Sequence, residues 1–175
     1  MNWFQKHYTM KPIINKYIVI GLNLVLLSAL FTACSSEKIV SSYSQDEITQ
    51  AVTNNRWNFV ATNAMPTYGS NRNLAGDYYF VRFTKDTVTV ALPYYGKLNS
   101  TAGALNGNPL DFKSTNFTFT KEDKKGGGWL VSVTRPDQEV QSMNFSFFDN
   151  GSARLDIIMT NRTAISFSGR VEPAK

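Results

Sequence analysis

Few side chains in this sequence could act as a nucleophile or hold a metal ion. The chain of 175 residues contains one His, His7, and one Cys, Cys34. Both belong to the N-terminal part of the chain, before the predicted folded domain. Because Ser/His/Asp, Cys/His and zinc sites each need several such side chains, the sequence predicts no metal, no cofactor and no disulfide within one chain. We therefore expect a protein that is not an enzyme.

Carboxylates are the remaining candidates for acid–base chemistry. A glycosidase-type site needs two of them about 5 to 10 Å apart, and a general acid needs a pKa raised by burial. Nearly all of the later acidic residues lie at predicted turns, where a short side chain such as that of Asp86, Asp137 or Asp149 bonds to its own backbone. The pattern favours structural roles. These later acidic residues, the candidates for carboxylate chemistry, are Asp77, Asp86, Asp111, Glu122, Asp123, Asp137, Glu139, Asp149, Asp156 and Glu172.

Two features argue against a nucleotide or nucleic-acid partner. The run Gly126-Gly127-Gly128 lacks the Lys-Ser/Thr that follows in a phosphate-binding loop, so it predicts a turn. Residues 1–33 hold three basic side chains and no acidic one, which leaves 15 basic and 13 acidic side chains in the remaining 142 residues. This near balance, without basic runs, provides no electrostatic surface for nucleic acid.

The N-terminus has the pattern of a signal peptide over residues 1–33. Three lysines precede an apolar run, residues 17–30, which is too short for a typical membrane span. The run leads to Leu-Phe-Thr-Ala-Cys34, which resembles the bacterial lipobox, whose Cys is linked to diacylglycerol. We predict lipid attachment at Cys34. The alternative is an ordinary signal peptide or membrane anchor with an incidental Cys.

The predicted lipid gives an expected location. Residues 34–43 are polar and rich in Ser, which is typical of a flexible tether between a lipid and a folded domain. Ser35 follows the Cys where Asp would resemble an inner-membrane retention signal, so we expect anchoring in the outer membrane of a bacterial envelope. Which face of that membrane the protein occupies is left open by the sequence.

The elements that follow indicate a single domain, residues 44–175. Ser44 to Glu47 form a capping box, which predicts the start of a short helix. From Arg56 onward the apolar period changes to two, as in half-buried strands, and turn residues separate about eight such strands. Antiparallel strands with one apolar face each must bury those faces together. The sequence therefore predicts a mainly β fold, an antiparallel barrel or sandwich with one short N-terminal helix.

Two turns carry further signals. Asn150-Gly151 predicts a two-residue type I′ turn, since both residues tolerate positive φ. Asp86-Thr87-Val88 resembles a short acceptor for O-glycosylation in some Gram-negative envelopes. For Asp86 and Thr87, hydrogen bonds to the backbone of the turn are the favoured interpretation.

Tyr94 and Tyr95 are the candidate binding surface. They lie in Pro93–Gly96, at the start of a long loop rich in Gly and Asn. Adjacent side chains of an extended segment point to opposite faces, so at least one ring is expected outside. A tyrosine offers a large, rigid contact area at low entropic cost. The alternative is a packed corner in which a tyrosine buries its ring and bonds its hydroxyl to nearby backbone.

Four segments of the predicted domain have an order and spacing that occur together in one family. They are Asn58–Pro66, Asp86–Gly96, Phe148–Ser152 and Asn161–Arg170. Together they resemble domain-of-unknown-function family 4251, and the similarity covers about Asp46 to Val171. The loop after Gly96 departs from the family's tyrosine-rich continuation. The resemblance implies a secreted or lipid-anchored protein of Gram-negative bacteria, without established catalytic residues.

Three functions follow from these observations. The favoured hypothesis is a lipid-anchored, non-catalytic envelope protein whose β-rich domain binds a protein or glycan, because site chemistry is missing while aromatic side chains remain for binding. A second hypothesis is a carrier of an apolar ligand or lipid inside a β-barrel, although bulky inward residues such as Trp57, Phe83 and Phe145 would fill a small barrel. A hydrolase that uses two carboxylates has the least support.

Overall fold

The computed structural model describes residues 42–99 and 107–174. By contacts the chain divides into Met1–Lys38, which lies wholly outside the described residues, and Ile39–Lys175. The predicted signal peptide, Cys34 and most of the predicted tether thus lie outside the described residues.

The described residues form one short helix followed by strands, which confirms the predicted mainly β fold. The elements are α1 (Gln45–Thr53), β1 (Arg56–Pro66), β2 (Arg72–Asn73), β3 (Phe80–Thr84), β4 (Thr87–Ala91), β5 (Asp111–Ser114), β6 (Thr118–Asp123), β7 (Trp129–Thr134), β8 (Val140–Phe147), β9 (Ser152–Met159) and β10 (Ile165–Pro173). These are ten strands where about eight were predicted, because β2 and β5 are short segments within loops whose sequences carry strong turn signals.

All ten strands belong to one antiparallel sheet that curls into a half-barrel. The order is β5-β4-β3-β1-β10-β9-β8-β7-β6, and β2 pairs with β1. β5 and β6 lie at opposite ends of this order, although residues 115–117 alone separate them in the chain. The two halves of the sheet face each other across the curl, where Phe83 of β3 stacks on Phe119 of β6 with ring centroids 4.7 Å apart. One curled sheet therefore supplies both walls of the core.

Aromatic rings fill the middle of the half-barrel. The Trp57 ring stacks on Phe83 at 5.2 Å and meets Phe145 and Phe147 edge-on at 5.0 Å each. Phe59 packs against Phe145 at 5.9 Å. All five side chains are at most 1% exposed. The alternation of apolar residues in the sequence thus identified the inward faces of these strands.

Helix α1 packs against β1 and β10 and is capped at both ends. The Ser44 hydroxyl accepts from the Glu47 amide while the Glu47 carboxylate accepts from the Ser44 amide, which confirms the predicted capping box. At the other end the Lys121 ammonium, from β6, donates to the carbonyl oxygens of Val52 and Thr53 at 3.0 Å each. A cation at this position also complements the helix dipole.

A membrane-spanning helix is not found in the part of the chain that the structure describes.

The turn between β8 and β9 differs from the predicted type I′ turn. Gly151 has φ +80°, whereas Asn150 is absent from the described residues that have positive φ. The Gly151 amide donates to the Phe148 carbonyl oxygen, and the Phe148 amide donates to the Ser152 carbonyl oxygen. These bonds define a three-residue loop that ends in a left-handed glycine, the usual alternative to a two-residue hairpin. Asn150 instead uses its side chain, which accepts from the Ser152 amide at 3.0 Å.

The left-handed conformation of Gly151 makes it sensitive to substitution. Gly151→Val is expected to lower the free energy of unfolding by about 1 to 2 kcal/mol, because a β-branched side chain is strained at positive φ. The measurement is urea denaturation followed by circular dichroism. Ser168→Val places the same side chain in strand β10 and should stay within about 0.5 kcal/mol of the parent chain. Equal stabilities for the two variants would contradict this description of the turn.

Candidate functional site

Tyr94 is anchored at the end of the half-barrel where the β9–β10 turn lies. Its hydroxyl donates to the Thr163 carbonyl oxygen at 2.7 Å and lies 3.2 Å from Thr163 Oγ1. A Cβ at Gly96 would overlap the same hydroxyl, so a glycine is required there for the bond to form. Burial raises the pKa of the Tyr94 hydroxyl above its usual range. This geometry matches the packed-corner alternative for Tyr94.

Tyr95 is also partly buried, which differs from the expectation that one ring of the pair lies outside. Both rings pack against the core cluster. The expectation assumed an extended segment, but residues 92–97 form no strand, so strict alternation of faces does not apply to them. The Arg72 guanidinium lies 4.6 Å from the centre of the Tyr95 ring. A binding role for either tyrosine stays a prediction.

A buried ion pair lies beside Tyr94. Arg162, in the β9–β10 turn, donates through Nε to Glu139 Oε2 at 2.6 Å. Their side chains are 10% and 3% exposed, respectively. The Arg162 guanidinium also lies 5.5 Å from the centre of the Tyr94 ring. The pair therefore joins three separate parts of the chain, namely the β7–β8 turn, the β9–β10 turn and the segment after β4.

Two of the four segments that carry the family resemblance, Asp86–Gly96 and Asn161–Arg170, meet at this junction through Tyr94 and Thr163. The Thr163 amide donates to the Lys97 carbonyl oxygen at 2.9 Å, and the Asn99 amide donates to the Asn161 carbonyl oxygen at 2.8 Å. Leu98 and Arg162 thus form an isolated antiparallel bridge. Residues that are far apart in the sequence are thus brought together at this junction.

An open cleft of about 930 Å³ lies on the other side of the β7–β8 turn. One wall is that turn and its flanking strand ends, and the other includes the end of β5 and the link to β6. The lining residues are Ser114, Asn116, Thr134, Arg135, Pro136, Asp137, Gln138, Val140, Gln141, Ser142 and Thr160. The sequence did not indicate this cleft, because its residues come from three separate segments and carry no motif.

The β7–β8 turn is held by several hydrogen bonds. The Arg135 amide donates to the Gln141 carbonyl oxygen and the Thr160 amide to that of Glu139, both at 2.9 Å. The Thr160 hydroxyl donates to the Gln138 carbonyl oxygen at 3.0 Å. Asp137 accepts from the Glu139 amide at 2.9 Å, which is the predicted turn role for this carboxylate. Backbone bonds and the buried ion pair thus fix this wall of the cleft.

The side chains on the cleft walls retain unused hydrogen-bonding capacity. Asn116, Gln138 and Gln141 are exposed. Within the described residues their side-chain amides form no hydrogen bond, and neither does the guanidinium of Arg135. Arg135 has φ +53°, a conformation that few residues other than Gly adopt. The cleft therefore combines a fixed backbone with polar groups that are available to a ligand.

Other carboxylates have partners that suit structural roles. Asp156 accepts from Arg154 at 2.8 Å, and this bond holds the pKa of the Asp156 carboxyl below its usual range. Asp77 pairs with Arg170 at 2.6 Å. Asp156 lies within β9 rather than at a turn. In the ranges 42–99 and 107–174, no group of three or more His, Cys, Asp or Glu side chains could hold a metal ion.

The β3–β4 turn departs from its predicted bonding. In the described part of the chain, the side chains of Asp86 and Thr87 form no hydrogen bond to the backbone. The turn is instead fixed from outside, because the Lys85 amide donates to the Asn55 carbonyl oxygen at 3.0 Å. Modification of Thr87 stays a prediction from the sequence.

Comparison with known proteins gives a family and a fold. The model of the family described as "Domain of unknown function (DUF4251)" matches residues 40–171. The chain is also similar to the crystal structure of a DUF4251 family protein from Bacteroides eggerthii DSM 20697, with a TM-score of 0.56 and 16% sequence identity. That similarity covers 74% of this chain and 87% of the other. No curated protein matches the chain.

Proposed function

Because the chain belongs to the DUF4251 family, we propose that it is a lipid-anchored, non-catalytic protein of the bacterial envelope that binds its partner on the surface of the half-barrel. The anchor is Cys34, which follows Leu-Phe-Thr-Ala after an apolar run of signal-peptide length. The outer membrane is the proposed location, because Ser35 follows the Cys. The partner is a component of the envelope.

The filled core is the observation that supports binding on the surface rather than in the interior. A carrier of an apolar ligand needs interior space, but the middle of the half-barrel holds the Trp57 ring in contact with Phe83, Phe145 and Phe147 at 5.0 to 5.2 Å. Rings in mutual contact leave no space between them for a second molecule. A ligand of this domain therefore binds outside the core.

The carboxylates support a non-catalytic role. Glu139 and Asp156 are each paired with an arginine. The pKa of the Asp156 carboxyl is lowered by Arg154, whereas a general acid needs a raised pKa. A carboxyl whose pKa is lowered in this way stays ionised at neutral pH and is a poor proton donor.

Lipid attachment is tested by metabolic labelling with radioactive palmitate. We expect label on the parent chain and on Ser35→Ala, and none on Cys34→Ser, because the thioether and the new N-terminal amine both require Cys34. Fractionation of the envelope is expected to place the parent chain in the outer membrane. Label on Cys34→Ser, or a mature N-terminus at another residue by mass spectrometry, would overturn the proposed anchor.

A further inference from the structure

We propose that the open cleft beside the β7–β8 turn binds a neutral oligosaccharide. This inference rests on the proposed surface-binding function and assigns it a site and a ligand class. The cleft volume of about 930 Å³ lies within the range of known small-molecule sites, roughly 300 to 1,000 Å³. The hydrogen-bonding groups and the charges of its lining indicate the class of ligand.

The side-chain amides of the cleft match the hydroxyl groups of sugars. Each amide of Asn116, Gln138 and Gln141 offers two N–H donors and one carbonyl acceptor, and each sugar hydroxyl both donates and accepts. The Thr134 hydroxyl on the same walls has this dual character, and the Thr160 hydroxyl, which donates its proton to the Gln138 carbonyl oxygen, can still accept. A polyhydroxylated ligand can use all of these groups, whereas an apolar ligand would leave them without partners at a cost in free energy.

The charges of the cleft favour a neutral ligand. Arg135 and Asp137, two residues apart in the turn, both line it. An anionic ligand would be attracted by the Arg135 guanidinium but repelled by the Asp137 carboxylate. A cationic ligand would be attracted by the carboxylate but repelled by the guanidinium. Opposite charges in one cleft give little net attraction for either sign, but both groups form strong hydrogen bonds with hydroxyls.

The fixed backbone of the turn lowers the entropic cost of binding. The Arg162–Glu139 ion pair at 2.6 Å and the Thr160 hydroxyl bond to the Gln138 carbonyl oxygen at 3.0 Å hold the wall from behind. Binding then needs to order side chains of the wall but not its backbone. Preorganisation of this kind improves affinity where each contact is a weak polar one.

The experiment is isothermal titration calorimetry on the full chain, kept soluble in a detergent without a sugar headgroup. The probes are maltohexaose, cellohexaose, xylohexaose and mannohexaose, with the hexamer of galacturonic acid as the anionic comparison. We expect saturable binding of at least one neutral probe, weakened about tenfold or more in the double variant Gln138→Leu/Gln141→Leu, which removes two amides but keeps the side-chain size.

Gln45→Leu is the matched control, because Gln45 is exposed on α1 and does not line the cleft. It is expected to bind the neutral probe like the parent chain. The absence of binding for all four neutral probes, equal affinities for the double variant and the control, or a preference for the galacturonate hexamer would each overturn the assignment. If the parent chain carries no palmitate label but still binds the neutral probe, the proposed anchor is overturned and the sugar site is not. The two experiments therefore test the two proposals independently.

Discussion

Replacing Arg162 with Met is expected to lower the free energy of unfolding by about 3 to 5 kcal/mol. Glu139 and Arg162 are both nearly buried, and a 2.6 Å bond joins them between the β7–β8 and β9–β10 turns. The substitution removes the guanidinium and leaves the carboxylate in a low-dielectric environment. The loss is measured by urea denaturation of the parent chain and the variant at pH 7.

Arg154→Met is the matched control for this substitution. Arg154 and Asp156 form a similar pair at 2.8 Å, but their side chains are 52% and 44% exposed. Exposed pairs contribute about 0 to 1 kcal/mol, because water screens the charges and competes for the hydrogen bonds. The double variant Glu139→Leu/Arg162→Met should be more stable than Arg162→Met, because it leaves no buried charge. Equal losses in Arg162→Met and Arg154→Met would contradict the structural role of the buried pair.

Trp57→Ala is expected to destabilise the domain by about 3 to 5 kcal/mol, because it opens a cavity where four aromatic rings meet. The Trp57 ring contacts Phe83, Phe145 and Phe147 and is 0% exposed. Thermal and urea denaturation both measure the effect. Tyr78→Ala removes a ring of similar size that is 80% exposed and should change stability by about 0.5 kcal/mol or less.

A second substitution separates packing from hydrogen bonding at the same residue. The Trp57 indole nitrogen is buried and has no hydrogen-bond partner among the described residues. Trp57→Phe keeps an aromatic ring at this position and removes the unpartnered N–H, so it is expected to cost much less than Trp57→Ala. A loss as large as that of Trp57→Ala would contradict this account of the core.

The strands and the inward faces could be predicted from the sequence because each face imposes a period of two. The period of two did not predict how deeply some residues of the outer face are buried. Asn58 and Val60 face away from the core, yet they are 8% and 0% exposed. β1 lies in the middle of the sheet, and Val60 is paired with Phe80 and Arg170 on that outer face. Large neighbours on adjacent strands bury it, which no single-strand pattern reveals.

The candidate site could be predicted less well than the fold. The aromatic pair in Pro93–Gly96 was the candidate surface from the sequence, and the structure joins this segment to Asn161–Arg170 through Tyr94 and Thr163. The cleft was missed because its amides, such as that of Gln138, are ordinary surface residues in sequence. They form a site because β6 and β7 pair with Thr118 opposite Thr134, which places the β5–β6 link beside the β7–β8 turn, and a strand register of this kind has no signal in the residues of the link or the turn.

The central position of the pair formed by β1 and β10 has a consequence for the order of folding. Asn58 and Glu172, which are paired across these strands, are 114 residues apart in the chain. Hairpins such as β8–β9 close over a few residues, but the join between the two halves of the sheet needs the first strand and the last. Non-local pairings of this kind slow folding. A chain that loses β10 therefore loses the middle of its sheet rather than an edge, so that early termination of synthesis leaves two half-sheets with exposed apolar faces.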